Sequence, residues 1–88
     1  MSSLNLPHEL THDRAGDWLK SLAVALHADD GLKITADAAR LERFDSSALA
    51  VLLACRREAL SAGKTFGVVN MPDKLRELAR VYGVSDLL

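Results

Sequence analysis

The spacing of hydrophobic positions changes several times along the 88 residues, and each change marks a boundary. Leu4, Leu6 and Leu10 fall on one side of an alternating segment that predicts a short strand. Pro7 cannot donate to a strand ladder, which places that strand at a sheet edge. Thr11 then offers a helix N-cap, and Ala15, Trp18, Leu19, Leu22, Ala23 and Leu26 recur at the spacing of an amphipathic helix. Asp29, Asp30 and Gly31 break that helix, after which Leu32, Ile34 and Ala36 alternate with Lys33 and Thr35 as a strand.

Residues 37–45 read as a loop or the frayed end of that strand, with Leu41 and Phe44 anchoring it to the core. A second helix starts at Asp45 or Ser46 and stops at Gly63, a residue suited to the left-handed position just past a helix end. Thr65 to Val69 is a short β-rich run. Pro72 fits the first turn of a third helix, whose buried stripe is expected to be Leu75, Leu78, Ala79 and Tyr82 and which Gly83 ends. Strands alternating with helices imply βαβ crossovers. The expected fold is α/β, a small mixed, mostly parallel sheet of about four strands with helices packed on it. No repeat, low-complexity tract or linker divides the chain, so residues 1–88 read as a single domain.

Composition narrows the function more than the fold. The formal net charge is −1, from 11 basic and 12 acidic residues spread along the chain, which argues against nucleic acid or an anionic membrane as the main partner. A protein or a small ligand is the expected partner instead. Cys55, the single cysteine, lies mid-helix among apolar neighbours and reads as a small core residue in a reducing compartment. No apolar run approaches the ~20 residues needed to span a bilayer, so a cytoplasmic location is expected.

The stretch FDSSALAVLL, from Phe44 to Leu53, concentrates the candidate chemistry. Asp45, Ser46 and Ser47 are all favoured at helix N-termini, where their oxygens accept bonds from unpaired N–H groups. One cap is enough, and the remainder would leave a hydroxyl at the positive end of a helix, where a phosphate is also favoured. Ala48 to Cys55 then carry no polar side chain. Leu49, Leu52, Leu53 and Leu60 can face the sheet, leaving Ala50, Val51 and Ala54 to face a neighbouring helix or to stay exposed beside the hydroxyls as a docking surface.

Enzymatic readings fare poorly. Gly63, Lys64 and Thr65 spell the end of a phosphate-binding loop, but Glu58 stands where the motif needs glycine, and the segment leaves a helix rather than entering one. His8 and His12 lie near Glu9 and Asp13, a combination that fits a solvated first helical turn better than a metal site. Nothing matches a nucleophile elbow. No catalytic residue, cofactor or metal is expected.

The motif D-S-S-A-L-A-V-L-L, followed by Arg56, Gly63-Lys64 and a later helix ending in Tyr82-Gly83-Val84, resembles the STAS domain, the fold of bacterial anti-sigma-factor antagonists. The segment VNMPDKLRELARVYGVSDLL is similar to the MlaB-like branch of that family, small STAS subunits of the Mla phospholipid ABC transporters that maintain outer-membrane lipid asymmetry. The resemblance implies a non-enzymatic cytoplasmic subunit, peripheral to the inner membrane, that binds and stabilises or regulates the transporter's ATPase subunit. Its other implication is an antagonist switched by a serine kinase and directed at an anti-sigma factor. Ser46 matches the family's phosphorylated or partner-contacting hydroxyl in either case. Asp45, Ser46, Ser47, Ala48, Ala50, Val51 and Ala54 are therefore the expected partner-binding or phosphorylation surface. Ala48 replaces the family's usual glycine, and His8-Glu9 stands where Gly-Glu is usual.

Overall fold

The computed structural model describes residues 2–88, with side chains from Ser3 onward. Among these the elements are β1 (Ser2–Asn5), β2 (Glu9–Leu10), α1 (His12–Ala28), β3 (Lys33–Asp37), β4 (Arg43–Phe44), α2 (Ser47–Ser61), β5 (Thr65–Val69), α3 (Asp73–Val81) and a terminal 3₁₀ turn (Ser85–Leu87). Strands β1, β3 and β5 form a parallel sheet in that order, and β2 pairs with β4, also in parallel.

Register explains which face the helices cover. Leu4, Ala36 and Val68 stand in one row and Ile34 pairs with Phe66; because side chains alternate along a strand, all five point to one side. Leu4, Ile34 and Ala36 are buried there with Leu22 and Leu26 of α1, Leu52 and Cys55 of α2, and Leu75 and Ala79 of α3. The opposite side carries Ser3, Thr35 and Gly67 in its central row. The smallest dimension of the molecule, 19 Å, is that of one sheet layer and one helix layer.

Several positions depart from the hydrophobic pattern for identifiable reasons. Leu32 is 75% exposed, because the strand begins one residue later and the Leu32 carbonyl accepts the Thr65 N–H at 2.9 Å before the sheet comes under helix cover. Thr35, expected to face water, is buried, because β3 is central and flanked on both sides. Leu60 is about half exposed rather than facing the sheet. Arg43 and Phe44 form a strand where a loop was expected, so five short strands in two sheets replace the expected four. A two-residue ladder is too short to leave a period in the sequence. Leu41 is buried as expected, and Phe44 is half-buried against the core.

The helix ends are built from backbone and from distant side chains. Past α2, the Lys64 N–H donates to the Ala59 carbonyl at 2.8 Å and the Gly63 N–H to Leu60 at 3.1 Å, with Gly63 at φ +75°. This pairing satisfies carbonyls that the helix cannot, and it requires the left-handed conformation glycine adopts without strain. The same arrangement recurs at Gly83, where Val84 donates to Ala79. Lys64, whose loop-like context carried no phosphate motif, is instead buried and donates Nζ to the Leu26 carbonyl at 2.9 Å and to the Asp29 carbonyl. A positive charge thereby closes the C-terminal end of α1.

Lys64→Met should lower the unfolding free energy by about 1–3 kcal/mol, the cost of losing a buried charged donor at the end of α1. A urea midpoint unchanged from wild type would refute this. Burial is the main cause, and Glu58 the lesser one, that pushes the Cys55 thiol up to about 11. Native protein should therefore resist thiol alkylation at neutral pH and react fully once unfolded, as followed by mass spectrometry.

Candidate functional site

Asp45 organises the region where function was sought. Its Oδ1 accepts the Ser47 N–H at 2.8 Å, and its carbonyl accepts the Ala48 N–H at 3.0 Å. Asp45 thus performs the capping of α2, and Ser46, next in the chain, already has helical dihedrals (φ −62°, ψ −16°). The second carboxylate oxygen, Oδ2, accepts the His12 N–H at 3.1 Å, at the first residue of α1. Thr11, the expected cap of α1, makes no side-chain capping bond. The end of α1 is held instead by a carboxylate 33 residues on from His12. The Ser47 and then the His12 backbone donors hold the Asp45 carboxyl below the usual carboxylate range.

With the cap supplied by Asp45, the Ser46 hydroxyl is left over. Ser46 is exposed, and its side chain makes no hydrogen bond to the described residues. It sits at the mouth of a groove of about 300 Å³ formed by Leu49, Ala50 and Leu53 of α2 and by Tyr82, just past α3. Tyr82 of this groove is 59% exposed.

The expected site residues divide into two groups. Asp45, Ser46 and Ala50 are exposed, and Ser47 and Ala54 are half-buried. Ala48 and Val51 are core residues and present nothing to a partner. The reason is the position of α2, which buries Ala48, Leu49, Val51, Leu52, Cys55 and Ala59, leaving Ala50 as the one fully exposed member of the apolar run. The methyl that distinguishes Ala48 from the family's glycine is thus turned into the core, away from Ser46. Two residues of the groove were assigned to the core from periodicity, Leu53 facing the sheet and Tyr82 in the buried stripe of α3. Leu53 is half-buried and Tyr82 open. Helical spacing places Tyr82 in line with Leu75, Leu78 and Ala79, but α3 ends at Val81, and the chain returns to the core only with Val84 and Leu88.

Comparison with known proteins now has a fold and a site to rest on. The family model described as "Mlab, STAS domain" matches residues 2–88. The chain belongs to the STAS-domain family. Among solved structures it is similar to the anti-sigma factor antagonist SpoIIAA in its unphosphorylated form, with 20% identity over 96% of this chain and 73% of that one and a TM-score of 0.76. It is also similar to the Bacillus cell fate determinant SpoIIAA in the phosphorylated form, with 20% identity, 96% and 76% coverage and a TM-score of 0.69. At that identity the likeness establishes the fold. No curated protein matches the chain. In this STAS domain, as the sequence motif implied, Asp45-Ser46-Ser47 lies at the start of α2.

Replacement of Asp45 removes both helix contacts at once. Asp45→Ala should lower the thermal midpoint, and Asp45→Asn, which keeps one acceptor oxygen, should lower it less. Because the folded Asp45 pKa lies below its unfolded value of about 3.9, the stabilisation is present above that pH and lost as pH falls through the folded value. The stability difference between wild type and Asp45→Asn should accordingly narrow in acid; a constant difference down to pH ~2 would show that the charge contributes nothing.

Proposed function

We propose that this STAS domain is a non-enzymatic subunit that docks on the ATPase subunit of a phospholipid ABC transporter of the Mla type and stabilises or regulates it. The observation that carries this reading is the unbonded Ser46 hydroxyl on a rim of Ala50, Leu53 and Tyr82, in a chain matched end to end by the Mlab-type family model. A neutral hydroxyl among small apolar groups suits a protein contact. It can accept or donate one bond across an interface while its neighbours exclude water. Among the described residues no helix is long and apolar enough to cross a membrane.

The geometry also favours a second reading on one specific ground. Ser46 stands at the N-terminus of α2, where a phosphate gains from the helix dipole, and a serine kinase could use it to switch an antagonist of an anti-sigma factor. Asp45 works against that gain, because its carboxylate already occupies the Ser47 N–H and would repel a phosphate on the adjacent residue. The docking reading meets no such opposition.

The two readings separate in one experiment with the cognate ATPase. Ser46→Ala should retain most binding in a pull-down, whereas Ser46→Glu should weaken it by about a hundredfold or more, since an unpaired charge buried at an interface costs several kcal/mol. Binding untouched by Ser46→Glu would rule out docking through this surface. Stoichiometric phosphate on Ser46 in protein from native cells, with no ATPase captured, would establish the switch instead.

A further inference from the structure

β5 lies at one edge of the three-stranded sheet, and its outer side is unpaired. The Thr65 N–H donates to the Leu32 carbonyl at 2.9 Å and the Val69 carbonyl accepts the Ala38 N–H at 3.0 Å, so Thr65, Gly67 and Val69 turn their main-chain groups toward β3. Phe66 and Val68 therefore turn theirs outward, and no hydrogen bond reaches those groups among the described residues. Edge strands are ordinarily guarded by charge, proline or a bulge. Thr65–Val69 holds no charged residue and no proline, and it pairs with β3 residue for residue. Lys64, directly before it, is buried and spent on the end of α1.

Such an edge can accept another strand. A second copy of β5 fits it, and one register serves. The Lys64 N–H is engaged by the Ala59 carbonyl at 2.8 Å, and Asn70 leaves the strand conformation at φ +57°, so within the strand the free groups are those of Phe66 and Val68. In an antiparallel pair, outward-facing residues set opposite each other exchange both main-chain bonds. Setting Phe66 against Val68 of the second copy satisfies every one of these groups on both chains. That register puts Gly67 opposite Gly67 on a two-fold axis, in a non-hydrogen-bonded pair whose Cα atoms lie about 4.5 Å apart. The closest approach of the two strands thus falls where neither carries a side chain.

The side chains agree with this register. Phe66 and Val68 are half-buried on the helix-facing side, so each would meet the other across the pair, an aromatic ring beside a β-branched residue. A hollow of about 330 Å³ bounded by Val68, Met71, Ala79 and Leu88 borders the strand, and Phe66 of the second copy would stand next to it. On the open face Thr65 falls opposite Val69, which is 43% exposed.

We propose that two copies of this chain pair antiparallel through β5, centred on Gly67, and join their sheets into one. The contact is short, so the dimer forms at roughly 100 μM rather than at nanomolar concentration. Ser46, Ala50, Leu53 and Tyr82 lie outside β5, so the pairing does not depend on the ATPase reading.

Sedimentation equilibrium of the purified chain from about 10 μM to about 1 mM should show monomer passing to dimer and no larger species. Amide exchange followed by NMR should slow at Phe66 and Val68 over the same range. Nothing lies within 4 Å of where a Gly67 Cβ would stand, so a side chain there has room in the monomer. Gly67→Glu sets two carboxylates opposite each other on the axis and should weaken the dimer at least about tenfold. Gly67→Lys should do the same, and an equimolar mixture of the two variants should dimerise again, because a two-fold axis through residue 67 brings the opposite charges together. Circular dichroism checks that each variant is folded. Association that Gly67→Glu leaves unchanged, or that the mixture fails to restore, would overturn the proposal, as would species growing beyond a dimer. So would a chain that stays monomeric throughout; protection of the Phe66 and Val68 amides only on adding the ATPase subunit would then give the edge to that protein instead. A failure of self-association leaves the Ser46→Glu pull-down as it stands.

Discussion

The first helix is held at both ends by charged side chains from distant parts of the chain, and the rest of the domain is arranged around that constraint. At its N-terminus the Asp45 carboxylate accepts the His12 N–H; at its C-terminus Lys64 donates to the carbonyls of Leu26 and Asp29. Each charge has the sign that the helix dipole favours at that end. Because Asp45 precedes α2 and Lys64 follows it, one segment fixes both ends of its neighbour. The two helices are thereby set side by side, and the His27 to Glu58 contact at 2.8 Å joins their exposed flanks.

That arrangement accounts for a helix with almost no polar side in its first half. α2 packs against α1 and against β5, and small side chains at Ala48, Cys55 and Ala59 let it sit close to its surroundings while Leu49, Val51 and Leu52 help to fill the core. Fully burying a leucine or valine contributes about 1.5–3 kcal/mol, so most of the apolar run serves folding. What reaches the surface is a narrow strip, with Ser46 and Ala50 exposed, Leu53 half-covered and Tyr82 beside them. Its small size and neutral hydroxyl suit contact with another protein surface rather than enclosure of a ligand.

The Lys64 tie and the candidate contact surface at Ser46 lie at opposite ends of the sheet. The ties at Lys64 and Leu32 close the end where β3 and β5 begin. At the other end the Ser46 strip lies beside the Asp45 brace. Loss of the charge at that brace would disturb how Ser46 is presented, whereas Lys64 lies at the other end of α2.

Much of this STAS domain was legible in the chain itself. Short alternating runs and the helical spacing from Ala15 to Leu26 determined the order of strands and helices, because local periodicity records which side of an element is buried. Gly63 and Gly83 determined where two helices end, since both sit at positive φ. The motif at Asp45-Ser46-Ser47 indicated where to look for contact. Tertiary structure alone decided that Asp45 caps two helices and so releases Ser46, that Ala48 and Val51 turn inward while Tyr82 stays out, and that Lys64 is buried. Hydrogen bonds spanning 33 and 38 residues leave no period in a sequence. Helical spacing shows that a face is apolar, but what covers that face depends on elements brought alongside only when the chain folds.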